Sequence, residues 1–222
     1  MLETLLTDLR FSARSLRHSI GFASVAVLSL ALGIGASAAL FSLVDAIFFR
    51  PFPVHEPDRL VALYSVRLSD AGWSGTSYPD YLNYREQTDV FAGLMAYIRI
   101  PLSFDAGGRT ERLSGEHVTF NYFETLGLGM TAGRGFRAGE DRPGAPHPVA
   151  VISDGLWQRA FGGDPLVVGR PVRIHGRSFT IVGVAPRGFR GVTLDWGQPP
   201  EVWVPMGWFD EFIPRFQARR TL

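Results

Sequence analysis

The sequence contains neither cysteine nor lysine. Without cysteine there is no disulfide, no thiolate nucleophile and no cysteine-ligated zinc. Without lysine no G-x-x-x-x-G-K-[ST] phosphate loop exists, so the chain does not hydrolyse ATP through a Walker-type site. An excess of either charge is also missing. The 22 basic residues, all arginine, stand against 21 acidic ones, a net charge of +1. That balance excludes a strong nucleic-acid field, and no nucleic-acid partner is expected. We read the exclusive use of arginine as base composition rather than function.

Catalytic signatures are equally scarce. H-E-x-x-H does not occur, and Gly72-Trp73-Ser74-Gly75 has the wrong spacing for a serine-nucleophile elbow. Gly127-x-Gly129 lacks the third glycine of a dinucleotide fingerprint. The five histidines, His18, His55, His117, His147 and His175, are scattered, whereas a zinc site needs several to converge. Carboxylates could pair in space for acid–base work, Glu111 with Glu116 or Asp141 with Asp154. Solvated faces and helix caps are the simpler reading of them. Trp73, Trp157, Trp196, Trp203 and Trp208 could mark a sugar or peptide groove, but tryptophans more often fill cores. The chain reads as non-enzymatic, with no catalytic residue, cofactor or metal site.

What is present begins with one long apolar run. Ser19 to Val44 is 26 consecutive residues without a formal charge, flanked by Arg17 and Asp45. A membrane span takes about 20 apolar residues, so the run predicts a transmembrane helix, assigned to residues 19–49. Its second half is rich in small residues, and Gly33, Gly35, Ala36 and Ala39 are the candidate surface for packing against another membrane helix. The alternative is a lone anchor. Ala36-Ser37-Ala38 satisfies the small-x-small rule of a cleavable signal peptide. Against cleavage, the leader is long and contains Glu3 and Asp8, and the apolar character continues past the site to Phe49. Retention is the reading adopted. Arg10, Arg14 and Arg17 precede the span, while Arg50 and Arg59 follow it, which places the N-terminus in the cytoplasm. Residues 1–18 carry Leu2, Leu5, Leu6, Leu9, Ala13 and Leu16 at helical spacing and predict a short amphipathic helix at the cytoplasmic interface.

With 222 residues and 46% apolar content, the remainder is large enough for one domain or two small lobes. Prolines 51, 53 and 57 mark a junction. Leu60–Val66 is largely apolar and predicts a strand buried on both faces. Ser77-Tyr78-Pro79-Asp80 predicts a helix start, with the helix running to about Gln87. Strands are predicted at 94–100, 109–113 and 116–120, then a short helix 122–126 capped by Asn121 and closed by Gly127. Residues 127–148 read as loop. A strand at 148–152 leads into a helix capped by Ser153 that stops at Gly162-Gly163. Residues 171–174 and 177–184 form a hairpin about His175-Gly176, 201–204 is a last strand, and an aromatic tail follows. The pattern is α+β: one N-terminal transmembrane helix followed by a mixed extracytoplasmic domain at 50–205, with possible subdomains meeting near residue 130, and a tail at 206–222.

Several stretches, in this order, carry a family resemblance. They are Asp8–Leu16, Leu30–Ala36 with Phe41–Asp45, Phe49-Arg50-Pro51-Phe52-Pro53 with Pro57–Val61, and Tyr122–Gly127 with Gly133–Phe136. Val149–Ser153, Trp157, Phe161–Pro165 and Phe179–Pro186 complete the set. From residue 5 to about 205 the chain resembles the MacB/FtsX-like ABC transporter permeases, in particular their duplicated orphan subgroup. The resemblance implies a periplasmic core of two α+β subdomains beyond the first membrane helix. It also implies a separate cytosolic ABC ATPase as partner, and assembly as a homodimer or as a pseudo-dimer with another permease half. The lipid bilayer is the remaining partner, and the inner membrane the expected location. Such permeases continue after the core into three further membrane helices, so the chain is expected to be the N-terminal part of a permease, or a degenerate relative. The job implied is non-catalytic coupling of ATPase to periplasmic motion for efflux or export. A free-standing, membrane-anchored binding module is the alternative, and an anchored hydrolase a weaker third.

Overall fold

The computed structural model describes residues 20–44, 54, 56–66, 73–87, 89–192 and 197–212. The expected amphipathic helix at 1–18, the junction prolines 51 and 53, His18, His55 and Trp196 lie outside the described residues. The chain divides into two compact units, Met1–Pro51 and Phe52–Leu222.

In the first unit, helix α1 spans Ile20–Val44. Of it, Ile20–Ser42 is long and apolar enough to cross a membrane, and none of that stretch is buried. At 1.5 Å per residue, 25 residues extend about 37 Å, against a hydrocarbon core of about 30 Å. The apolar side chains point in all directions: Ile20, Phe22, Leu28 and Leu30, spread round the helix, are all largely exposed. A helix apolar all round has no face to offer water, which fits a lipid environment.

The second unit is mixed α+β. It opens with a two-stranded antiparallel ribbon, β1 (Ser65–Val66) and β2 (Trp73–Ser74). Leu60–Val66 is therefore not the doubly buried strand its composition suggested. Its last two residues pair with β2, and Val61, Leu63 and Tyr64 are exposed. Helix α2 (Tyr78–Gln87) starts and stops where its signals predicted. The Ser77 hydroxyl accepts from the Asp80 amide at 3.3 Å and donates to the Asp80 carboxylate at 2.6 Å, which satisfies a first-turn donor.

The main sheet contains β3 (Tyr97–Asp105), β4 (Thr110–Val118), β5 (Ala132–Gly133), β6 (Val149–Ile152), β7 (Pro171–Ile174), β8 (Arg177–Val184) and β9 (Val202–Pro205). Its order is β5-β8-β6-β9-β4-β3-β7, and β7 pairs again with β8. Six of the strands thus form a closed circuit, with β6–β8 and β4–β9 parallel and the remaining pairs antiparallel. Closure removes exposed edges. Strands from both sides of residue 130 are neighbours in this one sheet, so no boundary falls there.

The sequence broke β4 at Ser114-Gly115, yet the strand runs through. Gly115 lies against the Leu102 side chain of β3 so closely that a Cβ would collide with it. Pro101 sits inside β3 without harm, because β7 pairs only with Phe104 and Asp105 and leaves Pro101 with β4 on one side. The loop predicted between 127 and 148 contains β5, whose Gly133 pairs with Gly183 of β8. A Cβ on either glycine would meet backbone oxygen, of Val182 and Arg134 respectively, so both must be glycine for β5 to dock.

Alternation along the strands fills two cores. Ala150 and Ile152 of β6 and Val202 and Val204 of β9 join one cluster, together with Leu156 of helix α4 (Asp154–Phe161). Val151 and Trp203, between them, join the other, with Tyr122 and Phe123 of helix α3 (Tyr122–Thr125). The sheet is covered on both faces. Each fully buried large side chain contributes about 1.5–3 kcal/mol relative to exposure. Helix α4 is capped as expected: Ser153 Oγ accepts from the Leu156 amide at 3.0 Å, and Gly162 and Gly163 close it with positive φ. The β7–β8 turn has positive φ at both His175 and Gly176, as a two-residue hairpin needs. Residues 206–212, read from sequence as the start of a tail, instead pack onto the first cluster. Met206–Trp208 is a 3-10 turn and Phe209–Phe212 is helix α5.

Candidate functional site

The predicted packing residues all lie in α1. Gly33, Gly35, Ala36 and Ala39 are exposed, and no atom stands within 4 Å of where a Cβ would sit on either glycine. At 100° per residue the four fall within one arc of about 160°. Leu28 and Leu32 share that arc, so the surface mixes small and large side chains.

In the domain, the carboxylates suspected of pairing are used separately. Glu111 and Glu116 are five residues apart on β4 and so face opposite sides of the sheet. Glu111 lies 3.8 Å from Arg159. Asp141 accepts the Phe120 amide at 3.1 Å, and Asp154 occupies the first turn of α4. Among the described residues no three His, Asp or Glu side chains converge on one point. Trp157 donates to the Asp164 carbonyl, Trp203 is fully buried and Trp208 nearly so, which makes these three core residues.

Glu116 is the most unusual group. It is completely buried, and its Oε2 accepts from Trp203 Nε1 at 2.9 Å and from the Tyr122 hydroxyl at 3.1 Å. Oε1 accepts from Arg99 at 3.3 Å. Register explains the meeting: Arg99 and Trp203 stand directly beside Glu116 on the strands either side of β4. Burial pushes the carboxyl up from its ordinary value, opposed by the Trp203 bond, the Arg99 charge and the Tyr122 bond. Burial, together with the charge of Glu116, pushes the Tyr122 phenol up as well. A Cβ on Gly191 would come within 3.1 Å of Glu116 Oε1, so the loop after β8 seals the carboxylate from water. A sealed carboxylate with every near neighbour donating to it is a structural tie. It has no open side from which to meet a substrate.

A second buried tie lies nearby. Glu140 accepts two bonds from the Arg134 guanidinium, at 2.7 and 3.0 Å, and one from the Arg137 amide at 2.8 Å. Partial burial acts to raise its carboxyl, but Arg134 and the Arg137 amide outweigh that and hold it below the usual range. A surface groove of about 390 Å³ runs between the β3–β4 turn and β7, lined by Asp105, Gly107, Gly108, Arg173 and Ser178 among others. Asp105 already accepts from the amides of Gly107 and Gly108, which lower its carboxyl, so its role there is to close the turn.

His117, adjacent to Glu116 in sequence, points to the other face. It is fully buried with its ring edge-on to Phe209 and Phe212 of α5, and neither ring nitrogen has a hydrogen-bond partner. Sequence reading named Glu116 as a possible partner of Glu111 and His117 among scattered histidines, but found the actual neighbours of neither, since these lie as far as 87 positions away.

Comparison with known proteins gives this domain a family. No curated protein matches the chain. Among solved structures it is similar to the extracellular domain of the ABC-type transporter YknZ from Gram-positive bacteria. That likeness has 15% identity and a TM-score of 0.47, covering 61% of this chain and 65% of the other. It is also similar to the periplasmic region of MacB from Actinobacillus actinomycetemcomitans, with 14% identity and a TM-score of 0.49, covering 61% and 58%. The chain thus spans under two thirds of the length of either. The sequence model of the MacB-like periplasmic core domain matches residues 23–221. By that match over most of its length, the chain belongs to the MacB-like ABC transporter permease family, of which it carries the periplasmic core domain.

Proposed function

We propose that the chain is the N-terminal part of a MacB/FtsX-type permease. It performs no catalysis itself and couples a separate cytosolic ABC ATPase to motion of a periplasmic domain, for efflux or export. Helix α1 anchors it in the inner membrane with the N-terminus in the cytoplasm. Residues 50–205 form the periplasmic core, onto which Met206–Phe212 pack, and residues 1–18 lie along the cytoplasmic interface, where an ATPase can reach them. The arc of Gly33, Gly35, Ala36 and Ala39 receives a neighbouring helix, from a second copy or another permease half.

The observation that carries this reading is the continuous family match from residue 23, inside α1, to residue 221. One polypeptide stretch of the family thus includes both a membrane-length helix and the folded domain. The helix supports the coupling role, since Ile20–Val44 contains no proline and keeps an unbroken backbone ladder, so it resists bending when pushed at one end. Chemical crosslinking in native membranes through residues 1–18, followed by purification of the full chain, tests the partners. An ABC ATPase subunit and a second permease chain are expected. Recovery of neither, with the chain intact in the membrane fraction, contradicts the coupling role.

A further inference from the structure

The segment 206–212 packs onto the sheet through Gly207 against the 141–142 backbone and through a set of rings. Trp208 packs on Phe179 with centroids 4.9 Å apart and stacks on Phe212 at 5.7 Å. Phe212 in turn lies 4.7 Å from the His175 ring and 5.6 Å from the His117 ring, and Phe209 lies 5.9 Å from His117. Polar contacts reinforce this. Trp208 Nε1 donates to the His147 carbonyl at 2.9 Å, and Arg177 binds Glu211 at 2.8 Å while lying over the Trp208 ring. The segment adds no strand to the sheet. Its helix is four residues long. Such an element opens more readily than the sheet beneath it.

Beneath it lies His117, completely enclosed, with two ring nitrogens and no partner for either. The charged and titratable groups on the surrounding elements do not relieve this. Glu116 and Arg99 belong to the tie on the opposite face of β4. Ile98 and Val204 flank His117 in register on β3 and β9. The hairpin contributes His175 and Arg177, and the segment itself Asp210 and Glu211; Glu211 pairs with Arg177.

We propose that residues 206–212 form an acid-releasable strap, closed over a neutral His117 and opened when that imidazole takes up a proton. Closed, the slot offers an imidazolium no carboxylate. Open, the ring is hydrated and titrates as an ordinary histidine. Burial, with the nearby His175 adding to it, pushes His117 from 6.5 down to about 3 in the closed form. The sign follows from linkage. A histidine whose value is depressed on closure favours the closed form above about pH 6.5, and that advantage is lost as pH falls from there toward 3. Between pH 7.5 and pH 5 the open-to-closed ratio should rise about 30-fold. The proposal does not depend on an ATPase partner.

Hydrogen exchange of the full chain in detergent, with intrinsic exchange corrected for pH, reads the strap directly. Protection of amides 207–212 is expected to fall about 30-fold from pH 7.5 to pH 5, while amides of β6 keep theirs. In His117→Leu and His117→Met the fall should vanish. Constant protection in the wild type refutes the strap, as does an equal loss in β6, which would be general acid unfolding. A fall that survives in both variants, or one abolished by His175→Leu alone, refutes His117 as the trigger. If neither variant folds, the wild-type profiles of the strap and β6 still decide.

Discussion

Replacing Glu116 by leucine tests the buried tie at its centre. The substitution removes the carboxylate that accepts from Trp203 Nε1 and the Tyr122 hydroxyl, and leaves both donors buried. An unsatisfied buried donor costs about 1–3 kcal/mol. Arg99 also loses its ion pair, and breaking a buried pair from one side costs about 3–5 kcal/mol. Relief of the desolvated charge offsets part of the sum, which leaves a net loss of about 3–5 kcal/mol. For a domain of this size that lowers the melting temperature by roughly 6–20 °C. Thermal unfolding of the full chain in detergent, followed by near-UV circular dichroism, measures it. The isosteric Glu116→Gln, which keeps an acceptor, should lose less and supplies the pH test. Because burial raises the carboxyl above its ordinary 4.5, its stabilising contribution is complete below that pH and is lost as pH rises through the raised value. The wild type should therefore gain on the Gln variant as pH is lowered from 7 toward 4.5. A Glu116→Leu protein as stable as the wild type, or a Gln variant whose difference does not move with pH, would refute the reasoning.

Two further outcomes are expected. Ser153→Ala removes the cap on the Leu156 amide and should cost about 1 kcal/mol, read as a drop of roughly 2–4 °C in the same melt. Gly33→Leu with Ala36→Leu should weaken self-association of α1 several-fold in a membrane two-hybrid assay, whereas Ile34→Leu, on the far side of the helix, should not.

The elements legible in the sequence are those fixed by local chemistry. Ser153, Gly162 and Gly163 delimit α4, Ser77 and Asp80 start α2, and His175-Gly176 sets the β7–β8 hairpin. In each, residues a few positions apart determine the backbone. The misread elements depend on partners far along the chain. Gly115 reads as a strand end, and only its contact with Leu102 shows why glycine belongs inside β4. Asn121 reads as a cap, but its side chain accepts from Thr119 and donates to the Leu94 carbonyl instead. Leu60–Val66 has the composition of a core strand, yet it pairs with β2 at Ser65 and Val66 and exposes Val61 and Leu63. Glu116 and His117 sit side by side in an unremarkable polar stretch. The alternation of β4 sends one into a nest of donors and the other into an aromatic slot, which no local pattern encodes.

Topology reporters address the central claim of a membrane-anchored, outward-facing domain. Alkaline phosphatase fused after residue 60 should be active in cells and resist alkaline carbonate extraction, whereas fused after residue 15, ahead of α1, it should be silent. The reverse pattern, or release of the chain by carbonate, would contradict the account.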